Sequence, residues 1–376
     1  MINNKFQNYN IIYKTAVIVL LTFSMLYNYS NIFVNTDTSL LDKIIVASLL
    51  CLYILFKFAD NYISKSDIAI VIFLLLIWFI FKRTELLVLI LLCCVCLRIS
   101  PQDVINIYKY SIFYLLIINF LYSIITNNFY NLQGQDISFG FSNQNQTSFF
   151  ISLLLAIIVF QNRIKQNLKI LNLILLMVGI GIDIKVFGDL TAAIFLLLIL
   201  IFILLPSNIV NSKIIKLLVL ILPFALTIIT YFLAIDYNPL IDWMAKLNHL
   251  LSDRLNIWNY YFSQSHIQLI SKNELFVISW GSNYTPHQGA FDSSYAYLLY
   301  IFGYLFTSIY IIGLSICNYK LLKSKKYNLL FLLLAIEISG FTENQMFSYV
   351  SSFTSIYALL SFHKYWLYNT GDSLNE

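Results

Sequence analysis

The chain of 376 residues is 60% hydrophobic and only 11% charged, with a formal net charge of +5. Soluble domains carry about 25% charged residues. With a mean hydropathy of +0.78, the composition excludes a soluble globular protein and leaves room for one polytopic membrane domain over 1–376. The basic residues lie between apolar runs, where topology needs them, so the charge implies no nucleic-acid partner.

In chain order the apolar runs cover 11–33, 44–59, 66–81, 85–99, 104–126, 146–160, 168–187, 189–206, 213–235, 293–317, 327–343 and 347–362. A span needs about 20 residues. The runs 66–81, 85–99 and 146–160 are short for that, so the expectation is an all-α polytopic membrane protein with 11–12 transmembrane helices. No small-residue cleavage site follows the first run, which reads as a first span. With the N-terminus in the cytoplasm, most of the 23 Lys and Arg residues fall on the cytoplasmic side, as the positive-inside rule asks. Both termini are then cytoplasmic, and two loops, 127–147 and 235–292, are extracytoplasmic.

Cys51, Cys93, Cys94, Cys96 and Cys317 all lie in apolar runs and read as small buried hydrophobes. The cluster at 93–96 could also hold a metal, but no pair of CxxC motifs supports zinc. Walker A, GxGxxG, HExxH and GxSxG patterns are absent from any plausible setting. No metal and no other cofactor is expected.

The loop 235–292 holds Trp243, Trp258 and Trp280 of the five tryptophans, and His249, His266 and His287 of the four histidines. Its apolar residues Leu240, Trp243, Met244, Leu247, Leu250, Leu251, Leu255, Trp258, Tyr261 and Phe262 step by threes and fours. This predicts an amphipathic helix of about six turns at the outer interface. Such a helix could be a lid without chemistry. Arg254, at the edge of the stripe, could bind a phosphate through two of its N–H groups, or could instead snorkel or pair with Asp253 or Asp242. His287 and Asp292 lie at the mouth of the next span, where His287 could act as a general base or donate a hydrogen bond to a leaving group. A lone surface histidine more often does neither. His249 and His266 have weaker claims.

Charges at membrane depth are costly, so they are usually functional or paired. Glu337 lies inside the run FLLLAIEISG, and Glu343 follows near its outer end. Asp183, Lys185 and Asp189 flank one turn; Arg83 and Glu85 occupy another. Together they could line one outward cavity with Lys185 and Arg83 as further anion contacts, or form local ion pairs. Asn143 and Asn145 offer neutral amides suited to sugar hydroxyls, or simply cap the helix that follows.

Four stretches resemble the Wzy-type polysaccharide polymerases of the O-antigen and capsule pathways, with their O-antigen ligase relatives. Phe139-Gly140-Phe141-Ser142-Asn143-Gln144-Asn145 is similar to the family's phrase ahead of a span. Arg254 with Trp258 resembles its R-x-x-x-W phrase. Asp292-Ser293-Ser294-Tyr295 through Gly303 resembles the D-N-S-Y phrase that closes the large loop. Gly340-Phe341-Thr342-Glu343 resembles the late G-x-x-E phrase. The chain departs from the family at Asp189-Leu190-Thr191, where Ser-Arg-Thr is common, and at Ser293, where the family has Asn. Lys185 is a candidate replacement for that missing arginine.

The resemblance implies a GT-C-like glycosyltransferase at the outer face of the bacterial cytoplasmic membrane, working without cofactor or metal. Its substrates would be oligosaccharides linked to undecaprenyl pyrophosphate in membrane lipid, and a flippase and a chain-length regulator would be its protein partners. Arg254 would stabilise the leaving pyrophosphate, and His287 or Asp292 would take the acceptor proton. Lys185, Arg83, Trp258, Tyr295, Asn143, Asn145 and Glu343 would bind substrate. A ligase acting on another acceptor, and a flippase or other transporter of lipid-linked oligosaccharide, are the alternative readings.

Overall fold

The computed structural model describes residues 2–33, 38–59, 65–97, 99–130, 136–162, 169–205, 212–273, 291–348 and 350–368. Its helices are α1 (Ile2–Tyr29), α2 (Thr38–Ala59), α3 (Lys65–Phe81), α4 (Thr84–Cys96), α5 (Pro101–Thr126), α6 (Gln144–Asn162), α7 (Lys169–Ile182), α8 (Leu190–Leu204) and α9 (Lys213–Ile235). They continue with α10 (Asp242–Leu250), α11 (Arg254–Gln264), α12 (Ser294–Lys323), α13 (Tyr327–Ser339) and α14 (Thr354–Leu360). Among the described residues, β-pairing is limited to the isolated bridges Ser30–Phe141 and Tyr130–Ile137.

Among the described residues, six helical stretches are long and apolar enough to cross a membrane: Ile11–Tyr29, α5, α6, Ile170–Phe187, α9 and α12. Four shorter apolar helices accompany them, at Lys43–Tyr53, α4, α8 and α13. Among its described residues the run 347–362 forms only the seven-residue α14, with irregular chain at 350–353 before it. A helix of that length rises only about 10 Å and cannot cross a bilayer alone. On α9, Ile214, Leu217, Leu218, Ile221, Ile228 and Phe232 all point out of the bundle. Exposed aliphatic and aromatic residues at this density suit a lipid-facing surface.

Local chemistry sets several helix starts. Ser100, Ser212 and Ser293 accept backbone N–H bonds from Asp103, Ile215 and Ala296 at the starts of α5, α9 and α12. Pro101 occupies the first turn of α5, where no N–H is needed. Asp189 caps α8 through the N–H groups of Thr191 and Ala192.

At the centre of the bundle α12 packs on α9, α13 and α14. It is broken at Gly303, whose φ of 79° and ψ of −173° lie outside the helical region. The loop segment 268–271 fills the break. Ser271 N–H donates to Phe302 O, and Tyr304 and Leu305 N–H donate to Gln268 and Leu269 O. A Cβ at position 303 would lie 2.3 Å from Gln268 O, so only glycine admits this approach. The large loop is thereby pinned into the helix whose N-terminus carries Asp292 and Tyr295.

The expected single amphipathic helix over 240–262 is instead two, α10 and α11. Ser252 and Asp253 both adopt positive φ, 53° and 64°, and turn the chain between them. Serine and aspartate tolerate such turns because their short side chains hydrogen-bond locally. α11 buries Leu255, Ile257, Trp258, Tyr261 and Phe262, whereas α10 leaves Trp243 and Leu250 exposed.

Candidate functional site

The turn at Ser252–Asp253 makes Arg254 the first residue of α11 and aims it inward. It is 9% exposed. Its Nη2 donates to Glu343 Oε1 at 2.6 Å and lies 3.4 Å from Asp292 Oδ2. These partners are 89 and 38 residues away in the chain, so tertiary folding alone assembles the cluster. Among the described residues Arg254 pairs with neither of its local acids, and its nearby partner is the backbone oxygen of Leu251, 3.5 Å from Nη1. Asp253 accepts from Asn248, and Asp242 pairs with Lys246.

Asp292 is held by its backbone: Trp258 Nε1–H donates to Asp292 O at 2.6 Å. The next residues are locked as well, since Ser294 N–H and Oγ–H both donate to Glu343 O. One tryptophan and one serine thus fix the backbone of the two acidic residues that face the arginine. Asp189 completes the surroundings. It lines a small cleft with Asn145, Thr191, Ser339 and Glu343.

One guanidinium faces two carboxyls, with Asp189 adding a third acid nearby. Burial and mutual repulsion outweigh Arg254 here. Burial pushes Asp292 up to about 6 and Glu343 up to about 8, with the Asp292 charge adding to the rise at Glu343 and Arg254 opposing both. Burial also raises Asp189, against the N–H groups of Ala192 and Thr191. Arg254 Nε–H is buried and has no partner among the described residues, leaving one donor for an acceptor group. Chemically, the cluster can accept a proton near neutral pH and offer a cation within one small volume.

Other expected site residues go elsewhere. Trp258 and Tyr295 are fully buried. Trp258 positions Asp292, and Tyr295 donates to the backbone oxygen of Glu337. Both serve as braces in this state and do not face open space. Arg83 donates to Asn273 O at 2.6 Å and its guanidinium sits 5.5 Å from the Phe302 ring centre, so it ties down the loop. Glu85 accepts from Tyr297 and not from Arg83. Lys185 lies on an exposed face of the π-turn Asp183–Phe187. Asn143 is exposed and accepts from Asn145 N–H at the start of α6. His287 lies outside the described residues.

The phrase around Gly140 is architectural. Phe139 packs on Phe120, Phe129 and Phe187, and Phe141 stacks on Phe150. A Cβ on Gly140 would meet Asn119 O at 2.7 Å. Asn145 alone from this phrase reaches the cleft. Cys93, Cys94, Cys96 and Cys317 are buried free thiols, while Cys51 is exposed. Among the described residues no group of three His, Cys, Asp or Glu could hold a metal.

Asp183 was legible only as a turn residue. It is fully buried and accepts from Ser148 Oγ at 2.6 Å and Ser152 Oγ at 2.7 Å. The one-turn spacing of those serines on α6 was the available signal.

Compared with protein-family models, curated proteins and solved structures, the chain matches none.

Proposed function

We propose that this protein is a membrane glycosyltransferase that builds a polysaccharide on the outer face of the bacterial cytoplasmic membrane. It moves a growing glycan from undecaprenyl pyrophosphate to a lipid-linked repeat unit. The observation that carries this reading is the convergence of Arg254, Asp292 and Glu343. They come from three separate stretches that resemble the polymerase family, and they meet in one buried cluster.

In the reaction the acceptor hydroxyl oxygen bonds to the donor's anomeric carbon, and the bond from that carbon to pyrophosphate breaks. The hydroxyl proton passes to the ionised member of the Asp292–Glu343 pair. The electron pair leaves with the lipid pyrophosphate, toward which Arg254 has its unpartnered Nε–H to offer. Proton affinities raised toward neutrality suit a general base. Substrate tails would approach through lipid. A cleft of about 250 Å³ between α9 and α12, lined by Phe224, Ile228, Phe232, Leu299 and Ile311, is of a kind that admits apolar chain.

A transport reading draws on Asp183 and Glu337, fully buried carboxyls inside apolar helical stretches. One experiment separates the readings. The gene is deleted in its host, and surface glycan and lipid-linked intermediates are profiled after complementation with wild type or Arg254→Ala. The proposal expects single repeats displayed outside, no long polymer, and no rescue by the variant at normal expression. Full-length polymer accumulating on the carrier identifies a ligase. Repeats accumulating on the cytoplasmic face identify a flippase, and either result overturns the polymerase.

A further inference from the structure

Glu337 is fully buried inside α13, and no Lys, Arg or His pairs with it among the described residues. Lys320, two residues beyond Asn318 on α12, commits its ammonium to Ser361 O and His363 O. Tyr310 hydrogen-bonds with Ser355, and Cys317 is a buried thiol. The group facing the carboxylate is the amide of Asn318. Its Nδ2 lies 3.1 and 3.2 Å from the two Glu337 oxygens and 3.5 Å from Val219 O on α9. Val219 stands four residues before Pro223, which has no N–H, so its carbonyl lacks the usual helical donor. Three acceptors therefore converge on a nitrogen with two hydrogens. The other end of the amide, Asn318 Oδ1, is buried with no hydrogen-bond partner.

A carboxyl isolated in an apolar bundle takes either a counter-charge or a proton. We propose that Glu337, Asn318 and Val219 form a binding site for one monovalent cation of sodium size. Turning the amide end for end, a change of little shape, replaces Nδ2 by Oδ1. Four oxygens then gather at the spacings now held by the nitrogen, 3.1 to 3.5 Å. Such spacings suit oxygens sharing one ion at about 2.3–2.6 Å. The cation supplies the missing charge and engages the orphaned Oδ1. A single carboxylate balances a single charge, which argues against a divalent ion. Carbonyls released at helix breaks are the ligands expected for sodium inside a membrane protein.

The test uses the purified full-length chain in detergent at pH 8. Choline chloride is exchanged for NaCl or KCl at constant ionic strength, and the unfolding midpoint is followed. The midpoint should rise and saturate with sodium more than with potassium, and Glu337→Gln should abolish the rise. Radioactive sodium should bind wild type at about one ion per chain and be displaced by unlabelled NaCl, a reading that needs no variant to fold. A midpoint indifferent to sodium, an equal rise in Glu337→Gln, or absent radioactive binding overturns the proposal. So does a response to pH through Glu337 without one to sodium, which makes the occupant a proton. Binding is read without activity, so the outcome is independent of the glycan-transfer reading.

Discussion

Removing Arg254 should make the protein's stability steeply dependent on pH. In the wild type its guanidinium lies 2.6 Å from Glu343 and 3.4 Å from Asp292, with the arginine side chain 10% exposed. Breaking a buried pair costs about 3–5 kcal/mol when the remaining charge must stay. Carboxyls can instead take up protons, at about 1.4 kcal/mol for each pH unit above their pKa. The sign follows from the raised folded values. Unfolded carboxyls titrate near about 4, so the folded pair binds extra protons above that pH. Its stabilising contribution is complete below about 4, and is lost as pH rises through about 6 for Asp292 and about 8 for Glu343.

In Arg254→Ala both carboxyls lose their cation and hold protons to higher pH. The variant then keeps about one more proton than wild type between pH 6 and 8, so its stability falls about 1.4 kcal/mol more steeply per pH unit. The destabilisation should be about 3 kcal/mol larger at pH 8 than at pH 6. Denaturant unfolding in detergent micelles at pH 6, 7 and 8 measures it. Equal destabilisation at all three values would refute the raised proton affinity of the carboxyls facing Arg254.

Three further outcomes are expected. Glu343→Gln removes the cluster's carboxyl with the higher proton affinity and should make the stability profile less steep between pH 6 and 8, measured by the same unfolding series. Gly303→Ala places a Cβ 2.3 Å from Gln268 O at a φ of +79° and should cost roughly 2–4 kcal/mol while exposing 266–273 to protease, read by limited digestion. Trp258→Phe removes the N–H that holds Asp292 O and should cost only about 1 kcal/mol. Polymer formation should nonetheless fall at least about tenfold, because small misplacement of a reacting group is expensive; a loss of rate no larger than the loss of stability would contradict the positioning role.

Much of the helical architecture was legible because apolar runs and bilayer thickness share one length scale. Arg254, Asp292 and Glu343 could each be singled out, since a charge beside apolar sequence is costly anywhere. Their meeting was not visible, because it depends on packing across 38 and 89 residues. The break at Ser252–Asp253 was hidden because the apolar stripe continues through it in register. Gly303 hides its break likewise, since the partner that fills it comes from 268–271 and not from its own helix. Arg83 and Lys185 read as anion contacts because sequence shows charge but not direction. The fold turns one onto a loop carbonyl and leaves the other exposed.

The central claim is that the Arg254–Asp292–Glu343 cluster carries out glycosyl transfer. It is tested most directly with the purified full-length protein and lipid-linked repeat units in detergent or vesicles. Wild type, Arg254→Ala and Glu343→Gln are compared by polymer length against time across pH 5.5 to 8.5. The account predicts a wild-type rate that rises as the carboxyl pair ionises between about 6 and 8, and loss of polymer in both variants while each remains folded. Polymer made by folded Arg254→Ala at the wild-type rate, or no polymer from wild type on any lipid-linked unit its host makes, would contradict it.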